Sequence, residues 1–275
     1  MALITTKDMF KKAIKGGYAV GAFNVNNMEI IQGLAEAAKE EHSPVIMQVS
    51  AGARKYAKPA YLRKLVEAAM EDTGIDVALH LDHGAGVPEV LRALRWGATG
   101  IMIDASTKPI DENIAETKHV VGMCRECGVS VEGELGHVGT TKDDTMAEFT
   151  KVDDAVRFVD ETGVSALAIM VGTAHGHYKK APVLGIDRIA EIHAATKAHL
   201  VLHGGSGVPD DQIRGAVAAG IRKVNFGTDV CCSFIDAARK VDESVIALDL
   251  FMKEPTEAVK NFAISKIELL GAARK

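Results

Sequence analysis

The chain has 275 residues, of which 47% are hydrophobic, and its net charge is −5. No basic stripe and no run of 18 apolar residues is present, which makes nucleic acid and membranes poor partners. The N-terminus also lacks the apolar core of a signal peptide. We therefore expect a cytoplasmic protein whose four cysteines are reduced thiols: Cys124, Cys127, Cys231 and Cys232.

Eight short apolar runs, each ending in a polar break, predict buried parallel strands. They are Ala19–Asn24, Val45–Val49, Val77–Leu81, Gly100–Asp104, Ser130–Glu134, Ala166–Val171, Leu200–His203 and Lys223–Asn225.

Amphipathic helical patterns separate these runs, and glycine closes several of them. The patterns are Met28–Glu41, Ala60–Glu71, Val87–Trp96, Asp111–Glu126, Asp153–Thr162, Ile186–Ala195 and Asp210–Ala219. The strict alternation predicts an α/β fold, a single (β/α)8 TIM barrel over residues 1–275, with a doubly wound open sheet as the alternative. An extra N-terminal helix, Thr6–Lys15, is expected to plug the barrel bottom. The tail Asp242–Lys275 is expected to form C-terminal helices that pack outside the barrel or against a second subunit.

Three histidines stand just past apolar runs: His83, His175 and His203. In a parallel barrel the C-terminal strand ends meet on one face, so the three imidazoles would form a His₃ site that suits catalytic zinc. Asp82, beside the first of them, would be a proton acceptor. The alternative is three unrelated histidines, some of which merely end strands.

The seventh and eighth loops, HGGSGVPDD and VNFGTDV, are rich in glycine. Loops at these positions commonly bind phosphate in barrels. Gly204 and its neighbours would let the backbone approach an anion, and Ser206 adds a hydroxyl. Gly227 and Thr228 open the last barrel helix, so their N–H groups could face the same anion. Two ordinary glycine-rich turns are the alternative interpretation.

The segments GAFNVNN, LHLDHG, IMIDAS with ENIAETK, VEGELG, GTAHGHYK, LVLHGGSGVP and KVNFGTD occur in this order. With them the chain resembles the class II, metal-dependent ketose-bisphosphate aldolases, the family of fructose- and tagatose-bisphosphate aldolases. The resemblance runs nearly the whole length of the chain.

The resemblance implies a zinc-dependent retro-aldol cleavage of a ketose phosphate to dihydroxyacetone phosphate and an aldehyde, without a lysine Schiff base. His83, His175 and His203 would bind zinc, and Asp82 would act as general base on the C4 hydroxyl. Asp104 and Glu134 match positions for a second divalent metal or an alternative zinc position. The C1 phosphate, with a monovalent cation (Na⁺ or K⁺) nearby, would lie against Gly176, Lys179, Gly204, Ser206, Asn225, Gly227 and Thr228. Family members form homodimers or homotetramers.

The predicted lid, GHVGTTKDDTMAEF, departs from the family pattern. Lys142 stands where the family has the glutamate thought to move protons at the enediolate carbon. Asp143 or Asp144 could take over that role. Lys142 could instead meet an anionic substrate end, or be a solvated charge on the lid.

The tail departs as well, because Ala247-Leu248-Asp249-Leu250 replaces an Asp-Pro-Arg-Lys segment whose arginine reaches the distal phosphate. We therefore hypothesise a different distal group: a sulfonate, as in 6-sulfofructose 1-phosphate, or a carboxylate, as in a 5-dehydro-2-deoxyphosphogluconate. The residues expected at that end are Asn24, Ser50, Arg54, His137 and Lys142. An ordinary fructose or tagatose bisphosphate remains an alternative, since Arg54 could replace the missing arginine. Two other classes of protein are alternatives to an aldolase: a metal-dependent hydrolase and a non-catalytic sugar-phosphate-binding protein.

Overall fold

A closed barrel of eight parallel strands forms the centre of the protein. The structure, a computed structural model, describes residues 3–141, 148–176 and 178–275. Each strand pairs with the next one in the sequence, and β1 pairs with β8 to close the ring. This confirms the predicted TIM barrel over the open sheet. The strands are β1 Val20–Asn24, β2 Val45–Val49, β3 Val77–Gly84, β4 Gly100–Ile103, β5 Ser130–Leu135, β6 Ala166–Ile169, β7 His199–Leu202 and β8 Ile221–Phe226.

Helices surround the barrel, and none that the structure describes has the length and apolar content needed to cross a membrane. They are α1 Thr6–Gly16, α2 Met28–Glu40, α3 Ala51–Tyr56, α4 Pro59–Thr73, α5 Val87–Arg95, α6 Ile110–Glu126, α7 Val152–Thr162, α8 Ile186–Ala195, α9 Asp210–Ala219, α10 Thr228–Ala238 and α11 Leu248–Leu269. The short α3 was not expected from the sequence, because six residues are too few for a readable helical period.

The extra helix α1 lies where the strands begin, as predicted. Just before it, the Ile4 N–H donates to the carbonyl of Val77, the first residue of β3. The hydroxyls of Thr6 and Ser130, the latter the first residue of β5, are 2.6 Å apart. These contacts close the lower end of the barrel, so the opposite end is the one open to ligands.

Two C-terminal strand ends differ from the prediction by more than one residue. β3 continues to Gly84, because a shift in its register with β4 after Leu81 lets pairing resume. β6 stops at Ile169, because the Met170 N–H donates instead to the hydroxyl of Thr150 at 2.9 Å. Both differences lie at the C-terminal end of the barrel, where side chains are directed toward the opening.

The tail forms one long helix, α11, which packs on α2 and α10 of the same barrel. A glycine allows its close approach to α2: a Cβ at Gly33 would lie 2.7 Å from the Thr256 carbonyl oxygen. By contrast Gly122, on the exposed side of α6, has nothing within 4 Å of such a Cβ. The two glycines therefore have opposite structural roles within helices.

We expect Gly33→Ala to lower the free energy of unfolding by about 1–3 kcal/mol, the usual cost of overpacking. Gly122→Ala should raise it by about 0.5–1 kcal/mol, because alanine is the better helix former. Thermal and urea denaturation of the two variants measures both changes. A stabilising Gly33→Ala would contradict the described contact between α2 and α11.

Candidate active site

Three imidazoles converge at the open end of the barrel. His83 is the last residue but one of strand β3 and has a left-handed φ of 48°. His203 follows β7 directly. His175 lies in the loop after β6 and exchanges backbone hydrogen bonds with the loop after β5. The ring centroids are 4.9 to 5.8 Å apart. One nitrogen of each ring lies within 4.8 Å of the others, so the three can share one ion.

Hydrogen bonds orient two of these rings. The Nδ1 of His83 is 2.7 Å from Asp104, and the Nε2 of His203 is 2.9 Å from Glu132. Carboxylate partners of this kind fix metal-binding histidines and leave the second ring nitrogen for the ion.

The remaining nitrogens are those that a metal needs. Within the described residues, the buried His175 Nε2 and Asp82 Oδ1 have no hydrogen-bond partner. His203 Nδ1 and Glu134 Oε2 make no hydrogen bond there either, but they form an ion pair with each other at 3.2 Å. Buried polar atoms are normally paired, so ligand atoms that have no partner, or have only one another, fit a shared cation. The set of imidazole and carboxylate donors fits a zinc ion.

The pKa values of two of these rings are also consistent with a metal site. Burial, with His203 and His83 nearby, lowers the pKa of His175 to about 4 and keeps it neutral at pH 7. Burial also lowers the pKa of His203, but contacts with Glu132 and Glu134 outweigh it and raise the pKa to about 9. Without a metal, His203 is therefore protonated on both ring nitrogens at pH 7, and a bound ion would displace one of these protons.

Asp82 stays ionised beside the imidazoles. Burial raises the pKa of this carboxyl, but His83 and His203 lower it more, so the pKa ends below its ordinary value. Asp82 Oδ1 is 3.8 Å from the Nε2 of His83. An ionised carboxylate with a free oxygen in this position can accept a proton from a bound substrate.

A second group of potential ligands shares one histidine with the first. His83, Asp104 and Glu134 bring ligand atoms within 4.8 Å of one another. Burial raises the pKa of Asp104, but hydrogen bonds from His83 and Ser106 outweigh it and hold the pKa well below its ordinary value. This group can hold a second ion or an alternative position of the first.

A cavity of ≈ 420 Å³ opens beside these groups. No Lys or Arg is among the described residues that line it. Ten residues that the sequence analysis selected do line it: Asn24, Ser50, Asp82, His175, Gly176, Gly204, Ser206, Asn225, Gly227 and Thr228. Lys179 is exposed and is not among the lining residues.

The two glycine-rich loops approach their neighbours closely. A Cβ at Gly204, which has φ 63°, would lie 2.4 Å from the Ala174 carbonyl oxygen. The Ser206 hydroxyl accepts a hydrogen bond from the Asp229 N–H in the first turn of α10. This contact joins the loop after β7 to the start of α10, where Gly227 and Thr228 line the cavity, and a helix start favours a bound anion.

Gln48 and Tyr178 were not predicted from the sequence as site residues. The Gln48 amide, which lines the cavity, donates to Asn24 Oδ1 at 2.6 Å. A lone amide within the apolar strand VIMQV was the available signal. The Tyr178 hydroxyl accepts from the Ala174 N–H and lies 2.9 Å from the Gly204 carbonyl oxygen, so it joins the two loops beside His175 and His203. No sequence pattern indicates that contact.

Arg54 does not lie where the sequence analysis placed it. Its guanidinium donates to the carbonyls of Val49 and Asp82 at 3.1 Å and pairs with Glu89 at 2.8 Å. The side chain lines a groove between α3 and α5 instead of the cavity. Helix α3, which was not foreseen from the sequence, directs Arg54 sideways, and a role of Arg54 at the distal substrate end stays a prediction.

Three other predicted residues have different outcomes. His137 is half-exposed, with its Nδ1 2.9 Å from the Ser106 hydroxyl and 3.8 Å from Glu134. It therefore lies beside the second ligand group and is absent from the cavity lining. Lys142 and Asp143, with the alternative Asp144, lie outside the described residues.

A parallel barrel with metal-ligand side chains and a polar cavity at its C-terminal end has the architecture of a TIM-barrel enzyme. The family model described as fructose-bisphosphate aldolase class-II matches residues 4–275. The chain belongs to this family, as the sequence motifs predicted, and is an aldolase, a carbon–carbon lyase.

Relatives match the chain over its whole length. It is 40% identical over 284 residues to a fructose-bisphosphate aldolase of Staphylococcus aureus (strain Mu50 / ATCC 700699), covering 100% of this chain and 99% of the relative. A fructose-bisphosphate aldolase of Geobacillus stearothermophilus is 38% identical, with the same coverage. The crystal structure of the YdjI aldolase from Escherichia coli K12 is similar, with a TM-score of 0.90, 30% identity and 99% coverage of each chain.

We expect Arg54→Met to lower the free energy of unfolding by about 2 kcal/mol, because it removes hydrogen bonds to a carboxylate and two strand-end carbonyls. Since Arg54 holds the backbone of Asp82, kcat/KM should fall by a similar factor for substrates with and without a distal anion. Arg63→Met is the matched control, because Arg63 pairs with Glu67 and the Trp96 carbonyl without touching β3. A KM increase confined to substrates with a distal anion would return Arg54 to the substrate site.

Proposed function

We propose that this aldolase uses a divalent metal, zinc, to cleave a ketose 1-phosphate reversibly to dihydroxyacetone phosphate and an aldehyde. One observation supports this most strongly: the unpartnered Nε2 of His175 and Oδ1 of Asp82 lie beside one cavity, together with the Nδ1 of His203, which has only Glu134 as its partner. The metal ligands are His83, His175 and His203, and Asp104 and Glu134 offer a second position.

When bound, the metal would supply Lewis-acid polarisation of the ketose carbonyl and stabilise the negative charge that develops during cleavage. Asp82 would accept the proton of the C4 hydroxyl through its free Oδ1. Asn24, held by Gln48, would orient the sugar hydroxyls along the cavity. The lid aspartate Asp143 is our candidate for the proton transfer at the carbon released by cleavage.

The C1 phosphate would bind at the glycine-rich end of the cavity. The cavity's described lining offers it backbone N–H groups near Gly204 and Gly227, the Ser206 and Thr228 hydroxyls and the Asn225 amide. Because no Lys or Arg shares that lining, a monovalent cation beside the phosphate would reduce its charge. Lys179 remains a candidate only if it moves inward from its exposed position.

For the distal end, fructose 1,6-bisphosphate is the first candidate substrate, since the relatives are fructose-bisphosphate aldolases. A distal sulfonate or carboxylate is the second, and the tail sequence Ala247-Leu248-Asp249-Leu250 favours it because it lacks an arginine. With Arg54 held elsewhere, His137 and Lys142 are the remaining cations of this chain proposed for that end, beside Ser50. Assembly into dimers or tetramers and a cytoplasmic location stay predictions.

Release of dihydroxyacetone phosphate tests the proposal. The panel is fructose 1,6-bisphosphate, tagatose 1,6-bisphosphate, 6-sulfofructose 1-phosphate and fructose 1-phosphate, each with EDTA, without it, and after zinc is restored. We expect release that EDTA abolishes and zinc restores, without trapping of a lysine adduct by borohydride. The fastest substrate identifies the distal group. Release that survives complete metal removal would refute the metal-dependent mechanism, and binding without release would favour a sugar-phosphate-binding protein.

Asp82→Asn should lower kcat by about 10²–10⁴-fold, the usual contribution of a general base, while zinc content and thermal stability stay near those of the wild type. Asp104→Asn is the matched control, because it weakens the orientation of His83 and should lower zinc affinity more than kcat at saturating zinc. Zinc titration and steady-state kinetics separate the two effects. An Asp82→Asn enzyme with nearly full kcat would exclude Asp82 as the base.

A further inference from the structure

A buried ion pair lies inside the barrel. The Nζ of Lys223 on β8 is 2.7 Å from Glu132 Oε2 on β5, and both side chains are almost fully shielded, with 0% and 2% exposure. Neither residue lines the cavity, so substrate does not reach them in the described structure. Burying two charges costs free energy that their attraction often fails to recover. A pair in this position therefore calls for a reason other than stability.

The ion pair is connected to the histidine cluster through the second oxygen of Glu132. Glu132 Oε1 lies 2.9 Å from the Nε2 of His203, while Oε2 is held by Lys223. With Nε2 engaged, the Nδ1 of His203 is the nitrogen left toward the metal ligands, where it lies 3.2 Å from Glu134 Oε2, itself a candidate ligand atom. The carboxylate thus has one oxygen for the ring and one for the ammonium.

The strand geometry explains why the pair sits beneath the site. Side chains two residues apart on a strand face the same side. Glu132 therefore points inward one layer below Glu134, and Lys223 one layer below Asn225. Lys223 is also 3.5 Å from the Nε2 of His80, which is itself completely buried. A polar layer thus underlies the layer that faces the cavity.

We propose that Lys223 is a positioning residue for the metal centre: it fixes Glu132, and Glu132 fixes the ring of His203 with Nδ1 toward the ion. This inference rests on the proposed metal site. Lys223 itself contacts neither the ring nitrogens that would bind the metal nor the substrate. Without the ammonium, Glu132 Oε2 keeps only His80 Nε2, 3.7 Å away, so the carboxylate plane is held firmly on one side alone, by His203. The His203 ring then loses the orientation that lets it complete the ligand set.

The test uses the full-length protein, stripped of metal and titrated with zinc against a chelator of known affinity. We expect Lys223→Met to lower zinc affinity by about 10–100-fold, the usual effect of losing a partner of a metal ligand. The visible absorption spectrum of the Co²⁺-loaded variant should also change, because it reports ligand geometry. Lys266→Met is the matched control: Lys266 lies against Phe226 of the same strand and near Asp210, away from Glu132. It should leave both readouts unchanged.

Lys223→Met removes the lysine cation from beside the buried Glu132 carboxylate, so this variant could fail to fold. Glu132→Gln and the double variant Glu132→Gln/Lys223→Met provide the second measurement. If Lys223 acts through Glu132, the double variant should bind zinc no more weakly than Glu132→Gln alone, which is the non-additivity expected of residues in one chain of contacts.

Two outcomes would overturn the inference. In the first, the Lys223→Met protein folds and loses only thermal stability. Its zinc affinity stays within about threefold of that of the wild type, and its Co²⁺ spectrum is unchanged. The other is a double variant in which the losses of the single variants add. Failure of the proposed function has a different signature: wild type would bind zinc no better than His175→Ala. Zinc binding without dihydroxyacetone phosphate release would refute the reaction and leave the positioning role to be decided by the affinities.

Discussion

The structure depends on one electrostatic constraint: three imidazoles packed edge to face at the mouth of a barrel, next to buried carboxylates. One of their nitrogens, His175 Nε2, is buried with no hydrogen-bond partner among the described residues, and another, His203 Nδ1, has only the Glu134 carboxylate at 3.2 Å. Such an arrangement is unfavourable for a protein alone, because unpaired polar atoms lose the hydrogen bonds that water gave them. It becomes favourable when a cation is shared among the rings and the acids around them.

Barrel closure is what brings these groups together. β3 is remote in the sequence from β6 and β7, and closing the ring of parallel strands brings their C-terminal ends together on one rim. Local irregularities complete the arrangement: β3 shifts register before His83, and the loop carrying His175 pairs with the loop after β5. The acids follow from strand alternation, which places Asp82, Glu132 and Glu134 inside. The residues that would bind the metal and those that would contact substrate thus lie in successive layers of side chains inside the barrel.

Much of the fold was readable from the sequence, because eight apolar runs alternating with helical patterns leave few topologies. The candidate ligands were readable too, since each histidine follows such a run. Contacts between side chains on different strands and helices could not be predicted from the sequence. Arg54 looked like a substrate cation, but the unforeseen helix α3 turns it toward Glu89. Lys223 looked like a strand residue, and only the closed barrel shows its partner, Glu132, 91 positions away in the sequence. Periodicity identifies which face a residue occupies but not which remote side chain it meets.

The central claim is that the three histidines hold one metal ion, and anomalous diffraction at the zinc absorption edge tests it most directly. Crystals of the zinc-loaded protein should show one dominant anomalous peak at about 2.0–2.1 Å from one nitrogen each of His83, His175 and His203, with Nδ1 as the ligand atom of His203. Zinc bound only at the protein surface, with no peak beside His83, His175 and His203, would contradict the account.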